Sequence, residues 1–210
     1  FSLNGNGEMT GTTWVEESGF LGGPVMITNT HSVGAVHQAT IEYAIPNGRE
    51  FAWSLPVVAE TWDGSLNDIN GFHVKKEHVF QVLENAAGGA VAEGNVGGGT
   101  GMVVHQFKGG IGTSSRVLKP ENGGYTVGVL VQANYGRRDL LHIAGVPVGK
   151  EITDLLPKRG HDGDGAGSTN TVAGTDAPLL PHQPDRLVKR ASLGLGVVGG
   201  RGEDTSGDIF

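Results

Sequence analysis

No cysteine occurs among the 210 residues. Disulfides, thiolate metal sites and cysteine nucleophiles are therefore excluded, although this absence does not separate cytoplasm from periplasm. Long apolar runs are also missing. None approaches the ~18 residues of a membrane-spanning helix, and no secretory signal is visible, so no membrane partner is expected. Basic residues are scarce: 15 Lys and Arg face 22 Asp and Glu, for a formal charge of −7. With no basic stripe to offset it, this argues against a nucleic-acid partner held through its phosphates. The eight histidines form no His-Glu-x-x-His and no pair at ligand spacing on an expected helix, so neither a metal nor another cofactor is expected.

What is abundant is glycine, at 37 residues, more than twice the usual share and without a collagen-like triplet period. Many backbone positions must need positive φ or close approach to another group. The length fits one sizeable domain or two small ones. The chain starts at Phe1 rather than Met and stops after Ile209-Phe210 in what reads as the start of a strand, so a piece of a longer protein is expected.

Periodicity predicts the elements. Trp14 and Val15 read as possible strand residues, and 24–28 and 57–59 as short buried strands. Residues 32–44 and 75–87 carry helical spacing, the second closed by Gly88-Gly89. Strand-like segments near 102–107, 112–117 and 125–133 suit an antiparallel meander, with Asn122-Gly123 as its turn signal. A short strand is expected at 140–143, a linker over 157–167, and a helix from Pro181 to about Leu193. Helices and antiparallel strands in separate runs make an α+β layered domain.

Few residues carry an obvious chemistry. Gly97-Gly98-Gly99-Thr100-Gly101 lacks the Gly-Lys-Ser/Thr ending of a phosphate loop, and strand follows it rather than helix; a tight backbone crossing explains its glycines better. Glu60 ends an apolar strand and is either a solvated carboxylate or an anion for a substrate ammonium group. Asn134 ends another, as a turn former or as an amide donor to an oxyanion. Ser206-Gly207-Asp208 is either a loop or a hydroxyl and a carboxylate aimed at one centre. Gly167-Ser168 is on residue type a loop dipeptide. Yet a serine behind a flexible glycine-rich run can attack its own preceding carbonyl. Scission there would give Ser168 a nucleophilic oxygen and a free α-amine with a pKa near 8.

Several segments together carry a likeness. They are 3–11, 28–34, 56–61, 66–71, 93–102, 129–134 and 175–183, including Thr28-Asn29-Thr30-His31-Ser32, Val58-Ala59-Glu60-Thr61, Val131-Gln132-Ala133-Asn134 and Thr175-Asp176-Ala177-Pro178. Across nearly its whole length the chain resembles the L-aminopeptidase/D-esterase and β-peptidyl aminopeptidase family of self-processing N-terminal-nucleophile-like serine hydrolases (peptidase family S58). The resemblance implies a four-layer αββα sandwich and a single hydrolase domain, incomplete at both ends. It also implies cleavage between Gly167 and Ser168 into an α-subunit part, 1–167, and the start of a β-subunit, 168–210. Ser168 falls on the nucleophile, seven residues before Thr175-Asp176. Ser206 and Asp208 fall on the supporting serine and acid, Asn134 on the oxyanion asparagine and Glu60 on the binder of the free amine. Trp62, a further substrate-binding position, stands where the family often has tyrosine; an indole donates a hydrogen bond but neither accepts one nor titrates. Thr169-Asn170-Thr171 is a second departure, because the family usually has branched apolar residues there and a polar run is expected to fit a buried strand poorly.

The implied substrates are short peptides, amino-acid amides or esters, including D- or β-residues, and the implied assembly is a homo-oligomer of processed αβ units. An acyltransferase of the ornithine acetyltransferase type is the nearest enzymatic alternative; it uses a threonine nucleophile. A non-catalytic small-ligand domain built on the Gly97–Gly101 loop is the other.

Overall fold

The structure is a computed structural model, and it describes residues 1–47, 53–157 and 167–210. Most of the expected 157–167 linker lies outside the described residues. The first element is a helix, α1 (Thr12–Ser18), where Trp14 and Val15 were expected in a strand. Left-handed glycines stand at both ends, Gly11 and Gly19, and the N–H of Gly19 closes the last turn on Val15 O. The helix buries no residue, which is why it shows no apolar stripe.

Strand β1 (Val25–Asn29) and helix α2 (Val33–Ala44) follow, then strand β2 (Val57–Thr61), which pairs parallel with β1. Helix α3 (Lys76–Glu84) stops at Asn85, short of the expected glycine pair. Met26 and Val58 on the two strands meet Val33, Val36 and Ala39 of α2 and Val79 of α3 in one apolar cluster. Helical and strand periodicities that face each other in this way bury both stripes at once.

The expected 102–107 strand divides into β3 (Val103–Val104) and β4 (Phe107–Lys108). The turn between them places His105 at φ 47° and Gln106 at φ 62°, a conformation that ends a strand. Strands β5 (Gly110–Val117) and β6 (Thr126–Asn134) form the expected antiparallel pair. Their connection turns at Pro120–Asn122 with Gly123 left-handed. The expected 140–143 strand is absent: a 3-10 turn over Arg138–Leu140 leads to a bridge between Ile143 and Val146, then to the short helix α4 (Val148–Glu151).

Strand β7 (Ser168–Thr175) pairs antiparallel with β6 and parallel with β8 (Gly207–Ile209), giving a second sheet of order β5-β6-β7-β8. Between β7 and β8 run α5 (His182–Val188) and α6 (Arg190–Val197), longer than the single helix expected to Leu193. The layers are thus α2 and α3, the β1-β2 sheet, the four-stranded sheet, and α5 with α6, the expected αββα order. The polar run opening β7 is buried at Ser168, Thr169, Asn170 and Thr171, and the expected poor fit holds in part, since Thr169 Oγ1 and Asn170 Oδ1 have no hydrogen-bond partner among the described residues. Flanking strands pair with the backbone on both sides, Asn170 finds a partner at Glu60 on β2, and Ser168 finds one at Trp62 just beyond it.

Candidate active site

Three strand ends converge on Ser168. The register of β6 and β7 sets Asn134 opposite Ser168, and that of β7 and β8 sets Gly207 beside it. The end of β2 faces the pair from the other sheet. Here the backbone of Trp62 makes both contacts: its N–H donates to Ser168 Oγ at 3.2 Å, and its carbonyl accepts from Asn134 Nδ2 at 2.8 Å. The Val103 N–H donates to Asn134 Oδ1 at 2.9 Å, which fixes the amide's orientation and leaves its second N–H for another acceptor. The indole of Trp62 is itself 44% exposed and folds over Gly64, where a Cβ would come within 2.7 Å of the ring.

Gly167 is a steric necessity. A Cβ there would lie 2.3 Å from Asn134 O and 2.9 Å from Tyr135 Cα, distances that no side chain tolerates. Its carbonyl accepts the N–H of Gly207 at 3.1 Å. Gly207 in turn has the chain at Asn6-Gly7 pressed against it, with Asn6 O only 2.5 Å from where its Cβ would stand.

Ser206 and Asp208 are brought together as expected, with Ser206 Oγ donating to Asp208 Oδ1 at 2.9 Å. Asn4 Nδ2 donates to the other oxygen of Asp208 at 3.1 Å. Among the described residues no hydrogen bond joins this pair to Ser168 Oγ, which is engaged by Trp62 instead. Tyr135 stands close enough to sense Asp208. Burial, and then the Asp208 charge, push its phenol up to about 12.

Glu60 is neither solvated nor at an open mouth; only 4% of it is exposed. The Glu8 N–H donates to its Oε1 at 3.0 Å, and the Thr30 hydroxyl donates to Oε2. A Cβ on Gly7 would lie 3.2 Å from Glu60 Oε1 and 3.1 Å from Gly207 Cα, so this glycine backbone lies between the carboxylate and the nucleophile's neighbour. Among the described residues Glu60 has no cationic partner, and a carboxylate buried without one is costly. Thr30, Glu8, Asn4 and Tyr135 were not singled out by sequence. The only signal for Thr30 was its place in the Thr28–Ser32 run.

The Gly97–Gly101 loop is a close crossing. Cβ atoms at Gly98, Gly99 and Gly101 would stand 2.4 Å from Gln132 Oε1, 2.6 Å from Gly94 O and 2.5 Å from Asn67 Nδ2 respectively.

Comparison with known proteins decides the lineage of this arrangement. The sequence profile of peptidase family S58 matches residues 1–210. The chain belongs to that family. It is 54% identical over 218 aligned residues to the beta-peptidyl aminopeptidase BapA of Sphingosinicella microcystinivorans, covering 99% of this chain and 55% of that protein. Among solved structures, a Burkholderia sp. beta-aminopeptidase superposes with TM-score 0.91 at 53% identity, over 99% of this chain and 57% of that one. The l-aminopeptidase d-ala-esterase/amidase of Ochrobactrum anthropi, described as a prototype of the serine aminopeptidases and a variant of the Ntn hydrolase fold, gives 0.90 at 50%, over 100% and 58%. This S58 chain thus has the Ntn hydrolase fold and spans about half the length of the curated relatives it matches.

Proposed function

We propose that the protein carrying this S58 chain is a self-processing serine aminopeptidase. It releases N-terminal residues from short peptides, amides or esters. The names of its relatives extend the substrate range to β-aminoacyl and D-alanyl groups. In this reading Gly167–Ser168 is the scission point, 1–167 belongs to the α-subunit, 168–210 opens the β-subunit, and the processed αβ units assemble as a homo-oligomer.

One observation carries the reading: Ser168 Oγ accepts the N–H of Trp62, whose carbonyl holds the Asn134 amide, while the Gly167 carbonyl accepts the Gly207 N–H. In processing, Ser168 Oγ attacks the Gly167 carbonyl, its hydroxyl proton passes to the Ser168 nitrogen, and the C–N bond breaks to give an ester and an amine; the Gly207 N–H stabilises charge building on the carbonyl oxygen. Water then hydrolyses the ester, leaving a carboxylate on Gly167 and a free amine on Ser168. That amine, partly unprotonated at neutral pH, is the base for turnover. Ser168 Oγ attacks the substrate carbonyl, the amine takes the hydroxyl proton and passes it to the leaving amine, and water releases the acyl group. The free N–H of Asn134 meets the oxyanion. The ammonium of the substrate supplies the counter-charge that Glu60 lacks, which confines cleavage to N-terminal residues. Ser206 and Asp208 act as a positioning pair beside Gly207, and the half-exposed Trp62 ring meets the substrate.

In the full-length protein, Ser168→Ala keeps the chain whole in a denaturing mass spectrum and abolishes hydrolysis of an aminoacyl p-nitroanilide. Scission or undiminished turnover in that variant overturns the mechanism.

A further inference from the structure

Three consecutive residues, the last two of β2 and Trp62 just beyond it, are tied to the second sheet by three separate hydrogen bonds. Asn170 Nδ2 donates to Glu60 O, Gln132 Nε2 donates to Thr61 Oγ1, and the Trp62 N–H donates to Ser168 Oγ. Asn170, Gln132 and Ser168 are each almost completely buried. Ser168 and Asn170, two apart on β7, share the face that meets β2, and Gln132 is the direct cross-strand partner of Asn170. The outer two ties join β7 to the end of β2 and to Trp62 just beyond it, two residues apart on each segment.

Stability alone does not account for Asn170. Among the described residues its Oδ1 is buried without a hydrogen-bond partner, as is Gln132 Oε1. A buried acceptor left so costs free energy that a leucine of similar volume would avoid. What the amide does is fix the β2 backbone at Glu60 relative to a residue two positions from the nucleophile.

One outer tie ends on the main-chain carbonyl of the residue that carries the Glu60 carboxylate, and the other on the nucleophile Ser168 Oγ. We infer that Asn170 is a specificity-determining positioning residue, whose amide sets the separation between the Glu60 anchor and Ser168 Oγ. This rests on the roles of Glu60 and Ser168 given above. An α-aminoacyl group has one carbon between amine and carbonyl and a β-aminoacyl group has two, a difference of roughly 1.5 Å in bond length. A site that tells them apart must hold its anchor and nucleophile to better than that. Misplacement by about 1 Å costs on the order of 100-fold in rate.

The test is the ratio of kcat/KM for β-alanyl and L-alanyl p-nitroanilide, measured on the processed full-length protein with the active serine titrated. Asn170→Leu should move that ratio by about tenfold, through kcat, with KM little changed because Glu60 still holds the ammonium. A purely structural role would lower both substrates alike and leave the ratio where it was. Gln132→Leu, which removes the tie to Thr61 and touches neither end group, should shift the ratio by less than about twofold. Should Asn170→Leu fail to assemble, Asn170→Ala is measured in the same way. An unmoved ratio in the Asn170 variant, with active wild type, sinks this inference alone. Wild type that hydrolyses neither substrate sinks the aminopeptidase reading, and the inference with it.

Discussion

The two faces of β2 meet their neighbouring layers in opposite ways. Toward the helices, Val58 joins Met26, Val36, Ala39 and Val79 in an apolar cluster. Toward the second sheet, at the Ser168 end, Thr61 meets Gln132, the backbone of Trp62 meets Ser168 and Asn134, and Asn170 holds the Glu60 carbonyl. The first contact is non-directional and scales with area removed from water. The second is directional and specifies distances between named atoms. A single strand therefore draws its stability from one side and its geometry from the other.

Variants can break this division or sharpen it. The largest effect is expected on the helix side: Val36→Asp buries an unpaired charge in the apolar cluster and should cost about 4 kcal/mol. Urea melts should register a large fraction of a typical domain's roughly 5–15 kcal/mol as lost. At the strand's end the expectation reverses. Glu60→Gln should lower kcat/KM about 100-fold for substrates with a free amine relative to N-acetylated ones, while the urea midpoint holds or rises because a buried charge is gone. Equal losses for both substrate types would remove Glu60 from amine binding. The smallest effect is at Tyr135, just past the end of β6. The folded protein keeps the Tyr135 phenolic proton to about 12, whereas the unfolded chain loses it near 10. The unfolded state thus binds fewer protons across that window, and stability falls as pH rises through it. Tyr135→Phe should flatten that alkaline limb in melts at fixed pH, and an unchanged slope would mean that the phenol is free.

Sequence made the apolar side of this comparison readable and left much of the other side hidden. Strands β1 and β2 and helix α2 were visible because their contacts are written as periodic Val, Ile and Ala. Helix α1 was not, since it buries nothing; the Gly11 and Gly19 pair that bounds it is a capping signal that could have been read. Ser206 and Asp208 were legible as a hydroxyl and a carboxylate two residues apart, though nothing in the sequence separated a loop from the strand that starts at Gly207. The tie made by Asn170 was not legible, because its partner is a backbone carbonyl 110 positions away. Glu60 was found, but its burial depends on Thr30 and on a passing backbone at Gly7 and Glu8. Trp62 was weighed by its ring, whereas its N–H and carbonyl make the contacts to Ser168 and Asn134.

That last feature has a bearing on how such a site can diversify. The groups that Trp62 lends to Ser168 and Asn134 belong to the peptide and are common to nearly every amino acid. The ring, folded outward over Gly64, is not anchored to either. Substitution at position 62 can therefore recast what an arriving molecule encounters without disturbing the scaffold beneath, so this is where a library aimed at new substrates should be placed first.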